Sequence, residues 1–147
     1  MSFIYIGIYW NNHHHLLQAA EKVNGTVLWA NLHRLFWLSL TPFVTGWMGE
    51  NAFAAVPVVA YGFDLLMAAL AYYILERALI AAGSGNSRLR AAVGGDIKGW
   101  VSVAAYVAGI LAALFWSRWV GVGLYACVAL MWVVPDRRIE RMLNLGG

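Results

Sequence analysis

Charge is what this sequence has least of. Only 12% of its 147 residues are Asp, Glu, Lys or Arg, against about 25% in a soluble domain, so a water-facing surface cannot be assembled from them. Cysteine is almost absent too. Cys127 stands alone, which excludes an intramolecular disulfide, and it reads as a small side chain facing lipid or a neighbouring helix. Residues 1–4, Met-Ser-Phe-Ile, turn apolar at once and show no basic stretch of the kind that opens a secretory signal. No Ser/His/Asp constellation, phosphate-cradling glycine loop or zinc spacing occurs, so the chain is not expected to be an enzyme or to carry a cofactor. Tandem repeats and low-complexity tracts are missing as well.

What is present is apolar. Hydrophobic residues make up 62% of the chain, and the mean hydropathy is +0.66. Four long apolar stretches cover residues 27–47, 53–75, 100–116 and 119–134. A helix needs roughly 20 residues to cross the hydrocarbon core, with a range of about 17–25, and the last two stretches sit at the short end. They are joined by Ser117-Arg118 alone, the mark of a tight helical hairpin. The runs are continuous rather than alternating, and in lipid each backbone group must be paired within its own segment, so helices are predicted rather than strands. The expected fold is an all-α membrane protein forming a single membrane domain over residues 1–147. It has four complete transmembrane helices in two hairpins, preceded by a truncated N-terminal helix over residues 1–17.

Charge placement predicts an orientation. With four spans, residues 11–26, 76–98 and 135–147 share one side of the bilayer, with a cytoplasmic loop at 81–98. That side carries Lys22, Arg77, Arg88, Arg90, Lys98, Arg137, Arg138 and Arg141, while the opposite side has Arg118. The excess of Lys and Arg places the first side, with the C-terminus, in the cytoplasm. The net charge of +3 is therefore anchoring charge, and a nucleic-acid partner is not expected. Gly49-Glu50-Asn51 is expected to make the first outer turn, and Gly83-Ser84-Gly85-Asn86-Ser87 to open the inner loop. Asn24-Gly25-Thr26 matches the glycosylation sequon but would be inert on the cytoplasmic side.

Arg34 and Asp64 are the only charges well inside the four stretches, and an intramembrane charge suggests function by default. In an antiparallel hairpin closing near residues 48–52, the two lie about one turn apart, and an Arg34–Asp64 ion pair is predicted. The alternatives are an Arg34 that snorkels alone to the headgroups, or a pore or substrate role. Asn31, Arg34, Leu38, Thr41 and Thr45 share one helical face, which predicts interhelical hydrogen bonding or a water-lined path. Pro42 in the same stretch is expected to kink the helix, whereas Pro57 lies near a helix start, where its missing N–H matters less.

The last hairpin reads as scaffold. Ala105, Gly109, Ala112 and Ala113 are expected to pack against Gly123 and Cys127, with Trp100, Trp116, Trp119 and Trp132 at the membrane interfaces. Consecutive helical residues point about 100° apart, so His13, His14 and His15 cannot face one metal ion together. A metal site would need His33 or a partner subunit, and none is predicted. Trp10, His13, His14 and Leu17 fall on one face instead and are expected to pack against a neighbouring helix.

Three blocks carry a family resemblance: Ile8-Tyr9-Trp10-Asn11-Asn12-His13-His14, Leu28-Trp29-Ala30-Asn31-Leu32 and Ser39-Leu40-Thr41-Pro42-Phe43. With Met131-Trp132-Val133-Val134-Pro135-Asp136-Arg137-Arg138-Ile139-Glu140, they make the chain resemble the bacterial branch of the transmembrane protein 175 family of potassium channels. The resemblance implies a six-helix subunit, a homotetramer and a potassium-permeable pore without a carbonyl selectivity filter, in an integral protein of the bacterial inner membrane. It also implies a pore-lining first helix with an Arg-x-x-x-Phe-Ser-Asp motif, packed against Trp10, His13, His14 and Asn31, and more weakly Asn11. That first helix and the front of the second have no counterpart in the sequence, and Arg34 stands where the family pattern has an apolar residue. On this reading the chain is a subunit or fragment that is not expected to conduct alone; the alternative is a non-conducting scaffold or remnant that assembles with other helices.

Overall fold

In a computed structural model, residues 2–18, 22–83 and 97–133 are described, and they form five helices with no strand among them. These are α1 (Ser2–Gln18), α2 (Gly25–Glu50), α3 (Ala55–Ala82), α4 (Ile97–Phe115) and α5 (Arg118–Val133). The four apolar stretches fall on α2 to α5 in turn, apart from residues 53, 54 and 116 at the helix ends and residue 134, which is outside the described residues. The rest of the 81–98 loop, the C-terminal residues beyond 133, and with them most of the cationic cluster, lie outside the described residues.

Two helices, α3 and α4, are long and apolar enough to cross a membrane, whereas α5, at 16 residues, is a shorter apolar helix. α3 is the central post. Val58, Leu65, Ala68, Ala71 and Leu75 are fully enclosed along it, with α2 on one side and α4 with α5 on the other. α3 also runs past the expected end at residue 75, so Glu76 is a buried helical residue rather than a loop charge. α1 rests in the angle between α2 and α5.

Local chemistry sets the helix ends. Asn24 caps α2, its side-chain oxygen accepting from the Val27 amide at 3.0 Å, which satisfies one of the orphan N–H groups of the first turn. At the other end, Gly49 and Glu50 remain helical, and the turn is made by Ala52 and Phe53 at φ of 50° and 56°. The expected glycine turn is thus displaced by three residues onto two side chains held in the left-handed region, which is costly for non-glycine residues. α2 runs unbroken through Pro42.

The second hairpin closes as expected around Ser117, but through a different pair of small residues. A Cβ on Gly121 would lie 2.7 Å from the Gly109 carbonyl oxygen, whereas one on Gly123 would meet open space. Cys127 is exposed. Helical spacing puts Gly121, Tyr125, Val128 and Trp132 inward, on nearly the opposite side of the helix from the expected Gly123 and Cys127. Trp132 is accordingly a core residue, 7% exposed, whereas Trp100, Trp116 and Trp119 are exposed. Its indole Nε1 donates to the Ser102 hydroxyl at 2.8 Å.

Candidate functional site

The residues singled out in the sequence fall in two places. One is the foot of α1. His13 is 1% exposed, and its Nε2 lies 2.6 Å from Asn31 Oδ1 on α2. A carboxamide oxygen accepts, so the imidazole donates from Nε2, and Nδ1 is left without a partner among the described residues. Burial holds this imidazole below the usual histidine pKa, partly offset by the Asn31 bond, so it is neutral near pH 7. The Trp10 ring stands 5.4 Å from that of His13. Trp10 itself is 53% exposed, and Asn11 and His14 also face outward.

The inward face of α1 is therefore not the expected set of Trp10, His13, His14 and Leu17. It is Tyr5, Tyr9, Asn12, His13 and Leu16, rotated by about one residue, or ~100°. The reason is hydrogen bonding. The Tyr5 hydroxyl donates to the Tyr125 carbonyl at 2.6 Å, Tyr9 shares a hydrogen bond with the Tyr106 hydroxyl, and Asn12 Nδ2 donates to the Trp132 carbonyl at 3.2 Å. Tyr5 and Tyr9 are one turn apart, and that spacing is the signal in the sequence for this face.

The other place is the α2–α3 interface. Arg34 is fully enclosed, as an unaccompanied snorkelling side chain would not be. Its Nη1 donates to the Ala68 carbonyl at 3.0 Å, and the guanidinium carbon lies 4.6 Å from the Tyr72 ring centroid and 5.4 Å from that of Tyr9. Asp64 accepts from the Thr41 hydroxyl at 2.7 Å through Oδ2. The two charges thus take separate partners, and the expected ion pair is replaced by a carbonyl and two aromatic faces on one side and a hydroxyl on the other. Ala68 is one turn beyond Asp64, so its carbonyl meets the guanidinium at the offset the side chain was expected to bridge. Along the polar face of α2, Asn31, Arg34 and Thr41 each bond to another helix, and Thr45 returns to the Thr41 carbonyl at 2.6 Å.

Among the described residues no group of His, Cys, Asp and Glu could hold a metal ion. His33 accepts instead from the Trp37 indole at 3.0 Å.

Residues 1–42 match the family described as the endosomal/lysosomal potassium channel TMEM175. Over 143 residues, covering 97% of this chain and 74% of the relative, the sequence is 51% identical to a potassium channel of Chryseobacterium sp. (strain P1-3). No solved structure matches. Identity at that level, over nearly the whole length and on an all-helical fold with two membrane-length apolar helices, places this chain in the bacterial branch of the TMEM175 potassium-channel family.

Proposed function

We propose that this chain serves potassium transport across the bacterial inner membrane as one subunit of a homotetrameric assembly. Its C-terminus lies in the cytoplasm, and α2 to α5 are four complete membrane spans. The 51% identity to a named potassium channel carries this reading. Within the assembly the five helices act as scaffold. The polar face of α2, which could have lined a path, has Asn31, Arg34 and Thr41 bonded to other helices, so the permeation route runs outside the bundle. A pore-lining helix belongs on the outward side of α1, where Trp10, Asn11 and His14 are exposed beside the His13–Asn31 bond. This docking surface supports a chain that conducts only with such a helix in place; the same exposed surface is what a non-conducting scaffold would offer its partners.

Potassium efflux from sealed vesicles containing the purified 147-residue chain tests the proposal, beside a version with a family first helix bearing Arg-x-x-x-Phe-Ser-Asp fused ahead of Met1. Efflux is expected only from the fused form, and His13→Ala should reduce it. Efflux from the unfused chain would overturn the docking requirement. Failure of both forms, with the protein shown to be folded and inserted, would overturn the channel reading in favour of the scaffold.

A further inference from the structure

A cavity of about 110 Å³ opens between α3 and α4. Ala69, Leu70, Tyr72 and Tyr73 line it from α3, and the first two turns of α4 line it from the other side. Its inner end is closed by Tyr9 and Asn12 of α1 and Trp132 of α5, all three buried. The wall is almost entirely apolar, because the polar groups around it are turned to one another. Tyr9 and Tyr106 share a hydrogen bond, and the Asn12 amide donates to the carbonyls of Ile8 and Trp132. Ser102 donates to the Lys98 carbonyl and accepts from the Trp132 indole. Arg34 is fully enclosed against the rings of Tyr9 and Tyr72.

Size and lining decide what such a space can hold. A water molecule needs roughly 10–15 Å³ and about two to four polar partners. The room is ample, but the partners are spent. Apolar cavities of this kind stay dry, and one of roughly 150 Å³ takes up benzene or xenon instead. The occupant that fits is therefore hydrocarbon.

The cavity has a mouth on the outside of the bundle, where the lining residues Leu70 and Trp100 are exposed. Each belongs to an exposed apolar stripe: Phe63, Leu70 and Ile74 on α3, and Trp100, Val107 and Leu111 on α4. Spacings of four and seven residues keep each stripe on one helical face. A Cβ on Gly62 would meet the Ile110 side chain at 2.9 Å, and the Tyr73 ring lies 6.2 Å from that of Trp100. The two helices thus run antiparallel, and the stripes meet at the mouth.

A cation stands at the rim. Arg77 lies just past the apolar stretch of α3 and is exposed, its guanidinium carbon 4.9 Å from the ring centroid of Tyr73. Leu70 is ~10 Å deeper along the helix axis. The headgroup layer on each side of a bilayer is only about 5–7 Å thick. A phosphate beside Arg77 therefore has its acyl chains at the level of the mouth.

We propose that the cavity receives one acyl chain of a membrane phospholipid whose phosphate lies beside Arg77. The chain enters between Leu70 and Trp100 and packs against Ala69, Tyr72 and Val103, wedging α3 and α4 by apolar contact alone. This rests on the reading of α3 and α4 as membrane spans.

Carbene labelling of the full chain tests it, in phosphatidylcholine vesicles whose lipid carries a photoactivatable diazirine midway along one acyl chain. Mass spectrometry locates the modified residues. Label is expected on Tyr72, Ser102 and Trp132, lining residues buried from the outer surface, as well as on the exposed Leu111. Val103→Trp and Ala69→Leu fill the cavity from its two sides. Each should reduce label on the three buried residues about tenfold, the loss expected when roughly two buried methylenes are expelled. Leu111 should be labelled as before, and both variants should melt no lower than the wild type, since filling a cavity stabilises. Wild-type label confined to Leu111 would overturn the proposal, and so would undiminished label on the buried residues of both folded variants. Protection of the wild type against heat by benzene, with no lipid label inside, would make this a site for small apolar molecules and overturn the lipid assignment. A Leu111 without label would overturn the membrane reading itself, and the proposal with it.

Discussion

Arg34 and Asp64 sit on facing helices one turn out of step, and each bonds to something other than its opposite charge. The arginine donates to the Ala68 carbonyl at 3.0 Å and the aspartate accepts from Thr41 at 2.7 Å. Exchanging them as Arg34→Asp with Asp64→Arg should therefore not restore the stability lost in either single variant, because neither local environment suits the other charge. Thermal unfolding in detergent checks this, and recovery to near wild type would show that the two act as a pair.

Thr41 is the one side chain that the structure shows hydrogen-bonded to Asp64. Thr41→Val keeps the shape and removes the donor, leaving a buried carboxylate oxygen unsatisfied at about 1–3 kcal/mol. Thr41→Ser should retain most of the stability. The unfolding midpoints of the three proteins decide it; equal values for Val and Ser would show the bond to be incidental.

His13 gives the foot of α1 a pH dependence with a definite sign. Its folded pKa is depressed by burial, below about 6.5 in the unfolded chain. The unfolded chain therefore binds more protons as pH falls, and the contribution of His13 to stability is present above about pH 6.5 and lost on acidification. The ring faces Asn31 on α2, and Arg34 and His14 further disfavour its charge. Stability measured from about pH 8 to about pH 5 should fall more steeply in the wild type than in His13→Gln, since the other titrating groups are common to both. Parallel curves would refute the assignment.

Packing in the second hairpin distinguishes two glycines that look alike in sequence. Gly121→Val drives a side chain into the Gly109 backbone and the Ala113 methyl group, with an expected loss of about 1–3 kcal/mol. Gly123→Val meets open space and should stay within about 0.5 kcal/mol of wild type. Helical content followed through thermal melts ranks them, and the reverse order would mean that α5 is rotated.

Helix positions were legible because continuous apolar runs leave little else for the backbone to do in lipid: 27–47 lies within α2, 100–115 within α4 and 119–133 within α5. Rotation about the helix axes was far less legible. In a span that is apolar all round, hydropathy does not mark the inward side, so the phase rests on a few hydrogen bonds whose partners are distant in sequence. That is why Gly123 is the expected close approach where Gly121 makes it, and why nothing in the pattern singles out Tyr9, which faces inward. The His13–Asn31 contact was reached only in part, as two residues near a common docking surface. Arg34 stands out in the sequence as a charge inside an apolar stretch, but its partners are a backbone carbonyl and ring faces, neither of which leaves a complementary charge in the sequence. The turn at Ala52 and Phe53 was hidden for another reason: glycine normally takes left-handed backbone, and the neighbouring Gly49 drew the expectation.

The bonds that seat α1 also impose an order of events. Tyr5 to Tyr125 and Asn12 to Trp132 each join residues 120 positions apart, and Tyr9 to Tyr106 joins residues 97 apart. α1 precedes by about a hundred residues the helices that seat it, and a loop of that length must close before the contact rewards it. Throughout synthesis, the aromatic and amide groups of α1 must be held by lipid, water or the insertion machinery. Its docking therefore depends on α4 and α5 being in place.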